Sequence, residues 1–130
     1  MIIAIDFDGT CVDHRYPAMG EPVPDAILVL RTLIREGHLL ILNTMRSDKH
    51  LWEVEEWFKT HDIKLHAVYR DPDQINWTSS PKCFANFYVD DAAVGCPRIF
   101  VEGFSRPCVD WIKVLKLIRE EIERRRKDVA

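Results

Sequence analysis

Two aspartates separated by one residue follow the first apolar segment of the chain, and together they could bind a cation. Asp6 and Asp8 come directly after Ile2–Ile5, which is too short for a helix and rich in β-branched residues, so it predicts a buried strand. Carboxylates at the end of a buried strand are unfavourable unless a partner neutralises them. A divalent cation is the simplest partner, although Asp-Gly is also ordinary turn chemistry.

Polar residues also follow two other apolar segments. Thr44 is the last residue of the segment that starts at His38. The segment that starts at Phe87 ends with Asp90 and Asp91, and Lys82 precedes it. Because ligands bind outside the carboxyl ends of parallel strands, we expect these side chains to converge with the first aspartate pair. Carboxylates, a hydroxyl and a lysine are typical of a magnesium-dependent phosphoryl site, in which one aspartate attacks phosphorus and another moves protons.

The elements that must position these residues alternate between strands and helices. This pattern predicts an α/β fold: one Rossmann-like domain over residues 1–130, with a parallel sheet of about five strands and helices on both faces. We expect strands near residues 2–5, 38–44, 67–69, 87–91 and 98–101, and helices near 24–36, 48–60 and 107–127. Residues 11–23 contain Pro17, Gly20 and Pro22, which predict a short flap over the site.

Composition excludes several classes of protein. The chain of 130 residues is 47% apolar, which is enough for one folded domain and too much for a disordered segment. Its net charge of −3 provides no overall basic field, so we do not expect a nucleic-acid partner. No segment predicts a membrane span or a signal peptide. Four widely spaced cysteines without Cys-x-x-Cys predict reduced thiols and a cytoplasmic location.

The motifs resemble those of the haloacid dehalogenase (HAD) superfamily, in particular its small, capless, phosphatase-like members. Asp6–Thr10 is similar to the first motif, Leu42–Thr44 to the second, Lys82 to the lysine of the third, and Val89–Asp91 to the metal-binding fourth. Thr44 is followed by Met45 and Arg46, which resembles the Thr-Gly-Arg form of the second motif. The gaps between the motifs leave no room for a large cap domain.

This resemblance implies a role for each matched residue. Asp6 would be the nucleophile that forms an aspartyl-phosphate, and Asp8 would be the general acid/base. The implied Mg²⁺ ligands are Asp6, Asp8 through its backbone carbonyl, Asp90 and Asp91. The residues assigned to substrate binding are Thr44, Lys82, Asn43 and Arg46.

The sequence therefore predicts a Mg²⁺-dependent phosphomonoester hydrolase that acts on a small phosphorylated metabolite. By resemblance, capless members act on large substrates or take cover from a neighbouring subunit, so a homo-oligomer that covers the site stays open. Two alternatives also stay open. One is another HAD-type reaction such as phosphotransfer, and the other is a catalytically silent module that binds phosphate or metal.

Overall fold

The protein is described by a computed structural model that covers residues 1–129. The elements in chain order are β1 (Ile2–Ile5), α1 (Ala26–Arg35), β2 (Leu39–Leu42), α2 (Asp48–Thr60), β3 (Ala67–Val68), a 3-10 helix (Pro72–Asn76), β4 (Phe87–Val89), β5 (Arg98–Ile99), β6 (Cys108–Val109) and α3 (Trp111–Val129). None of the helices within this range has the length and apolar character that a bilayer crossing requires.

The centre of the fold is a parallel sheet with the strand order β3-β2-β1-β4. Ile5 is aligned with Leu42 on one side and with Val89 on the other. Because all four strands run in the same direction, the residues that follow these three positions are neighbours at one edge of the sheet. The predicted α/β fold, with a parallel sheet flanked by helices and no large cap, is confirmed.

The number of strands in the sheet is a correction to the sequence analysis, because the sheet has four strands rather than five. The predicted fifth strand forms as β5, but it pairs antiparallel with β6 in a separate two-stranded sheet. Cys108 and Val109 of β6 were predicted to lie in the first turn of the last helix, which instead begins at Trp111. Both residues are fully buried, so pairing with β5 and burial in the core outweigh continuation of the helical pattern.

The two faces of the sheet are covered differently. Ile3 and Ile5 pack into a large core with buried residues from all three α-helices. Ala4, which points to the opposite face, packs in a small cluster with Ile41 and Cys83. That face is covered by the connection between β3 and β4, whose only helical part is the 3-10 helix. Since side chains alternate along a strand, the large core fixes the register of β1 and hence the positions of the aspartates beyond it.

Candidate active site

Phe7 orients the side chains of Asp6 and Asp8. Its ring is fully buried and lies 5.3 Å from the ring of Trp57 and 6.0 Å from that of Phe58, measured between centroids. Because Phe7 points into the core, the side chains of Asp6 and Asp8 turn away from it. The backbone N–H of Asp6 donates to the carbonyl of Val89 at 3.0 Å, which places Asp6 beside the end of β4.

Three carboxylates converge at this edge of the sheet. Oxygens of Asp6, Asp90 and Asp91 all lie within 4.8 Å of one another. Burial, followed by the negative charge of Asp90, raises the pKa of Asp6 from 3.8 to about 8. Oxygens that bind one Mg²⁺ are at most about 4 Å apart, because each Mg–O distance is about 2.1 Å. The three side chains therefore fit a magnesium ion after a small contraction, and the ion would relieve their mutual repulsion.

Thr10 and Gly9 hold Asp91 in this cluster. The fully buried Thr10 hydroxyl donates to Asp6 Oδ2 at 3.0 Å and accepts from the backbone N–H of Asp91 at 3.2 Å, so it joins the ends of β1 and β4. Gly9 has a φ of +85°, and a Cβ atom at this position would lie 2.3 Å from Asp91 Oδ2. Asp91 can approach the first motif this closely only because residue 9 has no side chain.

Asp8 lies outside the carboxylate cluster and forms an ion pair with Arg46. Arg46 donates from Nε to Asp8 Oδ2 and from Nη2 to Oδ1, both at 2.8 Å. The guanidinium also donates to the carbonyls of Pro17 and Ala18 in the flap, and it lies 5.1 Å from the ring centroid of Tyr16. Arg46 is 1% exposed. It therefore connects the flap to Asp8.

The cluster opens into a cavity of about 470 Å³, whose lining includes the three carboxylates, Asp8, Arg46, Thr44 and the flap residues His14 and Tyr16. The Thr44 hydroxyl accepts from the backbone N–H of Arg46 at 3.1 Å. Since that bond uses a lone pair, the hydroxyl hydrogen is left to donate to a ligand. The structure thus brings six of the eight predicted site residues to one cavity: Asp6, Asp8, Thr44, Arg46, Asp90 and Asp91.

Two residues predicted to bind substrate, Asn43 and Lys82, lie outside the cavity lining. Asn43 is exposed and outside the cavity lining, and its backbone N–H continues the sheet by donating to Ile5. The ammonium of Lys82 lies 5.6 Å from the ring centroid of Tyr88, also outside the cavity lining. The side chain of Gln74 donates to the Lys82 carbonyl at 2.6 Å. The backbone at Lys82 is therefore held in the connection that covers the opposite face of the sheet.

Sequence reasoning assigned no role to two residues of the site. Thr10 lies two residues after Asp8 and could have been identified from its closeness to the aspartate pair. Arg106 lines the cavity, with Nη2 3.7 Å from Asp91 Oδ2. It belongs to the loop between β5 and β6, and only the pairing of these strands brings that loop to the site, so no local pattern indicated its role.

Comparison with known proteins finds one similar solved structure. No family model matches the chain, and no curated protein matches it. The similar structure is that of the conserved protein coded by a locus of Bacteroides thetaiotaomicron. The two chains are 34% identical, the match covers 93% of this chain and 91% of the other, and the TM-score is 0.78.

Proposed function

The chain belongs to the same family as the conserved Bacteroides thetaiotaomicron protein, and we propose that it is a Mg²⁺-dependent phosphomonoester hydrolase of the HAD type. The observation that carries the proposal is the convergence of Asp6, Asp90 and Asp91 within 4.8 Å at the carboxyl edge of the sheet. Thr44 lines the same cavity with a hydroxyl hydrogen free to donate. Half-buried carboxylates, a hydroxyl and an open cavity suit a phosphate ester better than an uncharged substrate.

Asp6, Asp90 and Asp91 would hold the Mg²⁺ ion, whose charge, when bound, offsets the repulsion between the carboxylates and a phosphate ester. An Asp6 oxygen attacks phosphorus and forms an aspartyl-phosphate, while the bond between phosphorus and the ester oxygen breaks. Asp8 gives its proton to the departing oxygen and then removes a proton from the water that hydrolyses the aspartyl-phosphate. Thr44 donates a hydrogen bond to a phosphoryl oxygen throughout.

The ion pair between Asp8 and Arg46 sets a condition on this mechanism. Both Asp8 oxygens accept from Arg46, whereas a carboxyl group that donates a proton must present one protonated oxygen to the substrate. Arg46 must therefore release one Asp8 oxygen, which takes up a proton from solvent before the ester bond breaks. Because Arg46 also donates to Pro17 and Ala18, we infer that movement of the flap accompanies this release.

A second candidate function is favoured by the same ion pair. If Arg46 never releases Asp8, the site binds phosphate and metal without turnover, as a catalytically silent interaction module.

For the enzyme, the cavity of about 470 Å³ has room for a small phosphorylated metabolite. Four free cysteines fit a reducing compartment, which supports the proposal of a cytoplasmic location. Met45 lines the cavity and is 97% exposed, so a second copy of the chain could cover the site there.

The proposal is tested by assaying the purified protein with Mg²⁺ against p-nitrophenyl phosphate and a broad panel of phosphate esters. We expect Mg²⁺-dependent release of phosphate. Asp6→Asn, which keeps the shape of the side chain, should abolish it without unfolding the protein. Asp62→Asn changes an exposed aspartate outside the cavity lining in the same way and should leave the rate unchanged. Full activity of Asp6→Asn would refute the assignment of the nucleophile.

A further inference from the structure

The site holds a second cation besides Arg46, and it is not the lysine that the motif pattern indicated. Lys82 lies outside the cavity lining, and the guanidinium of Arg46 is occupied by Asp8 and by two carbonyls of the flap. Arg106 lines the cavity and contacts Asp91. We propose that Arg106 binds the phosphate group of the substrate, in the part that the resemblance gives to Lys82. This inference rests on the proposed function.

The contacts of Arg106 leave its guanidinium available to a ligand. Its ion pair with Asp91 is long, 3.7 Å between Nη2 and Oδ2, and the side chain is 51% exposed. Arg46, by contrast, is 1% exposed and donates from Nε, Nη1 and Nη2 to protein acceptors. A planar guanidinium with free N–H groups is suited to bind two oxygens of one phosphate.

The loop that carries Arg106 is fastened to the flap next to the cavity. Asp13 is 2% exposed and accepts from the Ser105 backbone N–H at 3.0 Å and from the Ser105 hydroxyl at 2.9 Å. Arg15 donates from Nε to Asp13 at 2.8 Å and from Nη2 to the Gly103 carbonyl at 3.0 Å. Asp13 is therefore a positioning residue, which fixes the backbone immediately before Arg106.

The charge of the site explains why a further cation is needed. Asp6, Asp90 and Asp91 carry three negative charges when ionised, and Mg²⁺ offsets two of them. Before Arg46 releases Asp8, these two side chains neutralise each other. One negative charge then remains to repel the incoming phosphate, and Arg106, whose guanidinium lies beside Asp91, would offset it.

The test compares Arg106→Ala, Arg106→Lys and Lys82→Ala in two assays with Mg²⁺: kinetics on p-nitrophenyl phosphate, and calorimetric binding of inorganic phosphate. A charge-assisted hydrogen bond of the usual strength predicts that Arg106→Ala raises KM and weakens phosphate binding by about tenfold to hundredfold. Arg106→Lys should restore part of this loss. Lys82→Ala, which removes a cation outside the cavity lining, should stay within about twofold of the wild type, since it removes no contact in the cavity.

Asp13→Ala tests the positioning role. It should raise KM with little change in kcat, and the double variant with Arg106→Ala should be no worse than Arg106→Ala alone, because both changes remove the same contact. If Asp13→Ala does not fold, Ser105→Ala removes one of the same bonds. Additive effects in the double variant would refute the positioning role.

Four outcomes would overturn the assignment of Arg106. Loss of phosphate binding in Lys82→Ala with Arg106→Ala unaffected would return the role to Lys82. A change only in Mg²⁺ affinity would show that Arg106 serves Asp91 alone. Binding of phosphate that ignores Arg106, with turnover intact, would refute this inference and leave the proposed function standing. A wild type that neither binds phosphate nor releases it would refute the proposed function and Arg106 with it.

Discussion

The replacement of Asp6 by asparagine should stabilise the metal-free protein at alkaline pH. Burial, then the charge of Asp90, raises the pKa of Asp6 to about 8 from its ordinary value of 3.8. A carboxyl group whose pKa is raised by folding favours the folded state below its ordinary pKa, and this stability is lost as the pH rises towards about 8. Asparagine carries no charge and does not undergo this loss.

The size of the effect follows from the shift. About four pKa units at about 1.4 kcal/mol each set an upper limit of about 6 kcal/mol. Asp6 is partly exposed, and solvent reduces this figure, so we expect a loss of about 2 kcal/mol between about pH 5 and about pH 8. For a domain of this length that corresponds to roughly 6 °C in melting temperature.

The assay measures the free energy of unfolding in urea for wild type and Asp6→Asn across this pH range in the presence of a chelator. The difference between the two proteins isolates Asp6, because every other titrating group is common to both. Adding Mg²⁺ should restore the wild type at high pH and leave Asp6→Asn unchanged. Asp90→Asn should reduce the wild-type loss, because the charge of Asp90 is the second cause of the shift. A difference between wild type and Asp6→Asn that does not vary with pH would refute the reasoning.

The remaining predictions concern the residues that surround the cluster. Gly9→Ala should abolish Mg²⁺ binding in calorimetry, because its Cβ atom would lie 2.3 Å from Asp91 Oδ2. Gly95→Ala is the matched control, since Gly95 also has a positive φ, +89°, with nothing within 4 Å; equal loss in both variants would mean that backbone strain, and not the contact with Asp91, is responsible. Arg46→Lys should lower kcat about tenfold or more with little change in KM, because an ammonium cannot make the paired bonds that orient Asp8. A rise in KM instead would show that Arg46 contacts the substrate.

The sequence by itself determined the fold class and the acidic part of the site. Short apolar segments alternate with helical patterns, and a parallel sheet brings the ends of its strands together, so Asp6, Asp90 and Thr44 could be placed at one edge from local pattern alone. The same logic explains the aspartate pair: Phe7 between them is apolar and belongs in the core, so its neighbours must turn away from it.

Only the tertiary structure decided which cations accompany these acids. Lys82 and Arg106 both lie in connections without a periodic pattern, and a loop's position depends on what it packs against rather than on its own residues. The side chain of Gln74 donates to the backbone carbonyl of Lys82 in a loop outside the cavity lining. In contrast, Asp13 and Ser105 hold the loop of Arg106 beside the cavity. Some of these bonds join residues that are distant along the chain, and the others form only in one particular loop geometry. The sequence pattern therefore contains no signal for them.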